Sequence, residues 1–202
     1  MKLAVDTDAF CKLGIANLLK PTASALGIPI TDWVRLPALP YMLERGQLRA
    51  RFGAKKCDAL LPVARSVGAL GRVDGDLLEK LVTLSDVDPG EALILGAAAA
   101  PNVKVLTHDK RALRAVANVP DVATELSGRV IVLEAVLLSL CESFGDGFVA
   151  TAVEPLHDFD TMVKVCFSGK STPKEGLASY YNTLADEVRP LALWKHEMES
   201  EG

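Results

Sequence analysis

Aromatic side chains are scarce, at 5% of 202 residues, although half the chain is apolar and most of that is Ala, Leu and Val. That balance argues against a β-sandwich and favours helices layered on a buried sheet. Paired cysteines are missing as well. Cys11, Cys57, Cys141 and Cys166 stand far apart, which excludes a zinc knuckle or a Cys-x-x-Cys redox motif and reads as reduced, packed thiols. No apolar run is long enough for a bilayer, since Val130 to Cys141 falls short and carries Glu134. The N-terminal run reaches Asp6 before a secretory signal can form. Internal repeats and low-complexity tracts are absent too. The expectation is a cytoplasmic protein with no membrane partner. An excess of positive charge is also lacking: 22 Lys and Arg against 26 Asp and Glu leave a net charge of −4, so the overall charge does not point to nucleic acid.

Charge is nonetheless uneven along the chain. Arg45, Arg49, Arg51, Lys55 and Lys56 follow one another without an intervening acid, and Lys110, Arg111 and Arg114 form a second basic stretch. These are either solvated faces of surface elements or phosphate contacts, which need a local patch rather than a basic total.

Patterning gives a coarse order of elements. Lys2 to Val5 reads as a strand ended by Asp6, and Asp8 opens a helix over Ala9 to Leu19 that stops before Pro21. A short helix over Thr22 to Leu26 follows. Thr31 to Gly46 is helix-prone but interrupted by Pro37 and Pro40, so two short helices or a kink are expected. Further helices are predicted at Asp58–Val67 and Asp76–Leu84, separated by a loop over residues 68–75. Asp88-Pro89-Gly90-Glu91 reads as a cap and first turn leading into an Ala-rich helix that ends at Pro101. Val103–Leu106 is a buried strand, Lys110–Val116 a helix, Arg129–Leu133 a strand and Glu134–Ser143 a helix. The predicted fold is therefore α/β, a three-layer α/β/α domain with a mainly parallel sheet over residues 1–144. Residues 145–202 form a helical extension packed on it, with helices at Asp158–Phe167 and Pro173–Val188. Gly169-Lys170-Ser171 between them lacks the upstream glycine and strand of a phosphate loop.

Three acids occupy places where carboxylates are costly unless used. Asp6 ends the first strand, Asp109 follows the strand Val103–Leu106, and Glu91 begins an otherwise apolar helix. Neighbouring parallel strands share a C-terminal edge, so Asp6 and Asp109 should emerge together. Crowded carboxylates cannot all ionise unless a cation joins them, and hard oxygen ligands suit Mg²⁺ or Mn²⁺. Such an ion activates a bound water and offsets charge on a phosphodiester. Each acid also has a plainer reading. Asp8, Asp88 and Asp109 can cap helices, Glu91 can complement a helix dipole, and Asp6 can be a turn residue. His108 beside Asp109 invites a general-base role, although neighbours in sequence need not face the same way. His157 and His196 lack suitable neighbours.

At these residues the chain resembles the PIN-domain family of metal-dependent nucleases. Asp6-Thr7-Asp8-Ala9-Phe10 is similar to the family's opening acid followed by a helix. Asp88-Pro89-Gly90-Glu91-Ala92 resembles its central acidic segment, and Val105-Leu106-Thr107-His108-Asp109-Lys110 its strand ending in a hydroxyl residue and an acid. The resemblance covers roughly residues 1–144. It implies Asp6, Glu91 and Asp109 as ligands of Mg²⁺ or Mn²⁺, Thr107 orienting a carboxylate or water, and Asp8, Glu44 and Asp88 in supporting positions. The implied activity is endoribonuclease hydrolysis of RNA by a metal-activated water, as in the toxin of a toxin–antitoxin module. RNA would then meet Arg45, Arg49, Arg51, Lys55, Lys56, Lys110 and Arg111; a protein antitoxin and a homodimer are further implied partners. Lys110 and Arg111 follow Asp109, so no further acid supports the metal from that turn, and the extension exceeds the family's compact core. Those departures keep two alternatives open: a non-catalytic PIN-like scaffold for RNA or a protein, and a different metal-dependent phosphohydrolase.

Overall fold

The computed structural model describes residues 1–169 and 171–195. Lys170 and His196 lie outside the described residues. Five strands, β1 (Lys2–Val5), β2 (Trp33–Arg35), β3 (Gly68–Ala69), β4 (Val103–Thr107) and β5 (Val130–Val132), form an all-parallel sheet in the order β3-β2-β1-β4-β5. Between β1 and β2 lie α1 (Thr7–Ile15) and α2 (Leu19–Ala25). Between β2 and β3 lie α3 (Leu39–Arg45), α4 (Gln47–Phe52) and α5 (Ala54–Ser66). Helices α6 (Asp76–Leu81) and α7 (Pro89–Gly96) precede β4, and α8 (Lys110–Ala117) and α9 (Pro120–Leu126) precede β5. The chain continues through α10 (Leu133–Phe144), α11 (Asp146–Val153), α12 (Thr161–Cys166) and α13 (Pro173–Glu187).

The helices fall into two packed groups, as expected of a doubly wound three-layer α/β/α fold. In one, α5 and α2 lie against α1, and α10 packs on both α2 and α13; in the other, α6 lies against α7 and α9, with α8 on α9. Strand order reverses direction at β1, because β2 and β3 extend to one side and β4 and β5 to the other. Open parallel sheets place their ligand crevices beyond the strand ends at such a switch point. The strands are apolar because both faces are covered: Leu3, Ala4, Val5, Val105 and Leu106 are fully buried. All four cysteines are buried free thiols. Among the described residues, no helix is long and apolar enough to cross a membrane.

Two strands depart from the predicted pattern. β2 and β3 lie in segments expected to be helical and looped. Each is too short for periodicity to show, and both exist through pairing: Val34 aligns with Ala4 on one side and Gly68 on the other. Burial of Trp33, whose indole N–H donates to the Ile28 carbonyl at 2.9 Å, also holds β2 in place. The first helix ends at Ile15 rather than Leu19, because Asn17 takes a left-handed turn at φ 56°. Asn is one of the few side chains that adopts this region readily. Helices α4, α9 and α11 were not predicted, and α5 begins at Ala54, four residues earlier than its apolar pattern suggests.

Candidate functional site

Parallel pairing brings Asp6 and Asp109 to one edge. Val5 aligns with Leu106, and the Asp6 N–H donates to the Leu106 carbonyl at 2.8 Å. The chains leaving β1 and β4 then turn directly into α1 and α8. A cleft of about 710 Å³ opens there, lined by Asp6, Asp8, Lys12, Asp88, Glu91, His108, Asp109, Arg51 and Arg111 among others. Gly90 keeps the α7 entrance close, since a Cβ there would stand 3.0 Å from the Leu36 side chain and 3.2 Å from an Asp88 oxygen.

Helix caps fix the carboxylates. Asp6 caps α1 by accepting from the Asp8 N–H at 3.2 Å, so the cap is Asp6 itself and Asp8 belongs to the first turn. Asp88 and Glu91 form a reciprocal capping box at the start of α7, with bonds of 2.9 and 2.7 Å. Asp109 caps α8 through the Ala112 N–H at 2.8 Å. Thr107 accepts the Asp109 N–H at 3.1 Å, so its hydroxyl orients the turn rather than a carboxylate. The capping readings of Asp88 and Asp109 are thus realised, that of Asp8 passes to Asp6, and all three caps face the cleft.

Capping does not neutralise the charge. Burial, with a contribution from Asp8, pushes the Asp6 carboxyl up to about 6. Burial and a hydrogen bond with Asp109 push Glu91 up to about 8. Asp109 is also desolvated, but the bond from Glu91 and the Ala112 N–H outweigh that and hold it below its ordinary value. The two shifts are opposite in sign: Glu91 is pushed towards its protonated form beside an Asp109 held towards its ionised form. Lining one cleft is a weaker condition than sharing an ion. Among the described residues, no group of three or more His, Cys, Asp or Glu side chains is gathered tightly enough to hold a metal.

The donor set nonetheless suits a hard cation. Mg²⁺ commonly binds one or two carboxylates and keeps several waters, and all-protein cages are unusual for it.

Beside this acidic wall runs an ionic network that sequence reading missed. The Lys12 ammonium, 3% exposed, lies 2.7 Å from Asp8 and 2.6 Å from Asp160. His108 Nε2 is 3.1 Å from Asp160, and its Nδ1 faces Glu134 at 3.8 Å. Lys110 reaches Glu134 at 2.7 Å, and Arg51 pairs with the second Asp8 oxygen at 2.7 Å. Burial pushes His108 down, but its bonds to Asp160 and Glu134 prevail and lift it to about 9. Burial pushes Glu134 up, and His108 and Lys110 overcome this to hold it at about 2. His108 is therefore an imidazolium clamped between two anions, a poor general base. Asp160 lies 154 residues beyond Asp6 in sequence, where no local pattern marks it. Glu134 within an apolar run was the one legible signal, since a wholly buried carboxylate needs partners.

The remaining residues singled out in the sequence are dispersed. Glu44 pairs on the surface with Arg65 at 3.3 Å and does not line the cleft. Arg49 is paired with Asp58, and Lys56 lies over the Phe159 ring at 4.2 Å. Arg45 and Lys55 are exposed. Only Arg51 and Arg111 of the basic residues named for RNA stand at the cleft. Compared with known proteins, the chain matches no family model, no curated protein and no solved structure.

Proposed function

We propose that this protein is a metal-dependent nuclease of PIN type that hydrolyses RNA phosphodiesters, acting in the cytoplasm. The reading rests on one observation: Asp6, Glu91 and Asp109, distant in sequence, line one cleft at the C-terminal edge of β1 and β4. Asp6, Glu91 and Asp109 are the residues that would hold Mg²⁺ or Mn²⁺. The ion, when bound, supplies an activated water and charge compensation at phosphorus. Asp6 orients that water, and Thr107 and the α8 cap hold Asp109 in place. Arg51 and Arg111, on the same cleft, receive the phosphates flanking the scissile bond; Arg111 stands 4.0 Å from Asp109. A toxin role, with an antitoxin covering the cleft, is the biological setting that fits such an activity.

The test is RNA cleavage in Mn²⁺ by the wild-type chain and by Asp6→Asn. The substitution keeps the α1 cap and should abolish cleavage while leaving the circular dichroism spectrum unchanged; cleavage at the wild-type rate overturns the mechanism. A second reading, a PIN-like scaffold that binds RNA or a protein without catalysis, is favoured by the lack of a tight three-carboxylate group among the described residues. Calorimetric titration with Mn²⁺ separates the two, because the scaffold takes up no ion.

A further inference from the structure

The C-terminal extension reaches two residues of the cleft wall, Lys12 and His108, through the Asp160 side chain. Asp160 caps α12, accepting from the Val163 N–H at 2.9 Å through one oxygen, while its other oxygen meets Lys12 at 2.6 Å and His108 at 3.1 Å. Its side chain is 2% exposed. Lys12 is itself on the cleft wall, one helical turn beyond Asp8 and on the same helix that Asp6 caps. A lysine ammonium on a flexible stem turns to whichever anion is nearest. Here two anions hold it, Asp8 at 2.7 Å and Asp160, and Asp8 is shared with Arg51.

We propose that Asp160 is a positioning residue: it tethers the Lys12 ammonium away from Asp6, Glu91 and Asp109, keeping those carboxylates open to a divalent cation. The inference rests on the metal reading above. A cation loose on the cleft wall would compete with the metal for the same oxygens, so the extension belongs to the site rather than standing beside it. The arrangement also accounts for a buried lysine between two aspartates, a costly feature unless each charge is paired.

Mn²⁺ alone is the probe, titrated calorimetrically into the full chain. Asp160→Asn keeps the α12 cap, since asparagine caps as well as aspartate, and replaces the oxygen that meets Lys12 and His108 with an amide nitrogen that can accept from neither. It should weaken Mn²⁺ binding by about ten- to a hundred-fold, the range seen when groups that orient metal ligands are lost. Adding Lys12→Met should restore binding to within about three-fold of wild type, because the competing ammonium is gone. Lys12→Met also relieves an unpaired buried charge, so affinities are compared where circular dichroism shows each variant fully folded; a merely structural role for Asp160 predicts wild-type affinity in folded Asp160→Asn. Equal affinity in Asp160→Asn and wild type overturns the proposal, as does a double variant no tighter than the single one. If Asp160→Asn alone does not fold, the double variant is compared with Lys12→Met alone: equal Mn²⁺ affinity in the two supports the tether, because Asp160 then acts only through Lys12, and a weaker double variant refutes it. Absence of uptake by the wild-type chain is read in the first titration; it removes the metal reading itself, and this inference with it.

Discussion

The proton that Glu91 retains more readily beside Asp109 is the most informative feature at the scale of single residues. A cation that takes its place must expel it, since metal-bound carboxylates are deprotonated. With Glu91 lifted to about 8, Mn²⁺ uptake at pH 7 should release about one proton, falling towards none above pH 9. Titrations in two buffers of different ionisation heat measure this directly, and uptake without release would place the ion elsewhere. Glu91→Gln should abolish both uptake and release while leaving the chain folded, because glutamine still accepts the Asp88 N–H. Asp6 and Asp109 were legible in the sequence because each ends an apolar strand. Lys12 and Asp160 were not, because a buried ion pair between α1 and α12 leaves no mark at either position.

At the scale of elements, α13 shows how much order in the extension is local. Thr172 and Glu175 form a capping box, with bonds of 3.3 and 3.1 Å, and Pro173 occupies the first turn. Thr172→Ala should cost about 1 kcal/mol, the usual worth of such a cap, read as a lower urea midpoint with an unchanged slope. Those signals were in the sequence, and α13 lies where its caps put it. Residues 33–35 carried no comparable signal, so β2 was predicted as helix. Pairing with β1 and β3 on either side, together with the buried Trp33, outweighs local preference in a three-residue strand. The same reasoning explains why α4 went unseen. Gly46 and Gly53 bound a six-residue helix that is too short to show an apolar period.

For the whole molecule, the ionic network ties stability to pH because it joins α1, the end of β4, α10 and α12. On the acid side, Glu134 and Asp160 titrate below their ordinary values of 4.5 and 3.8. Their contribution is complete above about pH 4.5 and is lost as pH falls towards 2. On the alkaline side the sign reverses: His108, raised from 6.5 to about 9, contributes fully below 6.5, and that contribution is lost as pH rises through 9. Glu91 and Asp6 act in the same alkaline direction, since carboxyl groups raised to about 8 and 6 favour the folded chain most when protonated. Without metal, the urea midpoint should therefore be highest at about pH 4.5 and decline from there to pH 9, through Asp6 and Glu91 first and through His108 above 6.5. His108→Gln should lower the maximum, because it leaves Asp160 and Glu134 with fewer partners, and flatten the decline. Mn²⁺ should raise the midpoint most at pH 8, where Glu91 yields its proton readily. A wild-type profile that is level from pH 6 to 9 would mean that His108 carries no buried charge, and the network would then be no more than a set of neighbouring polar groups.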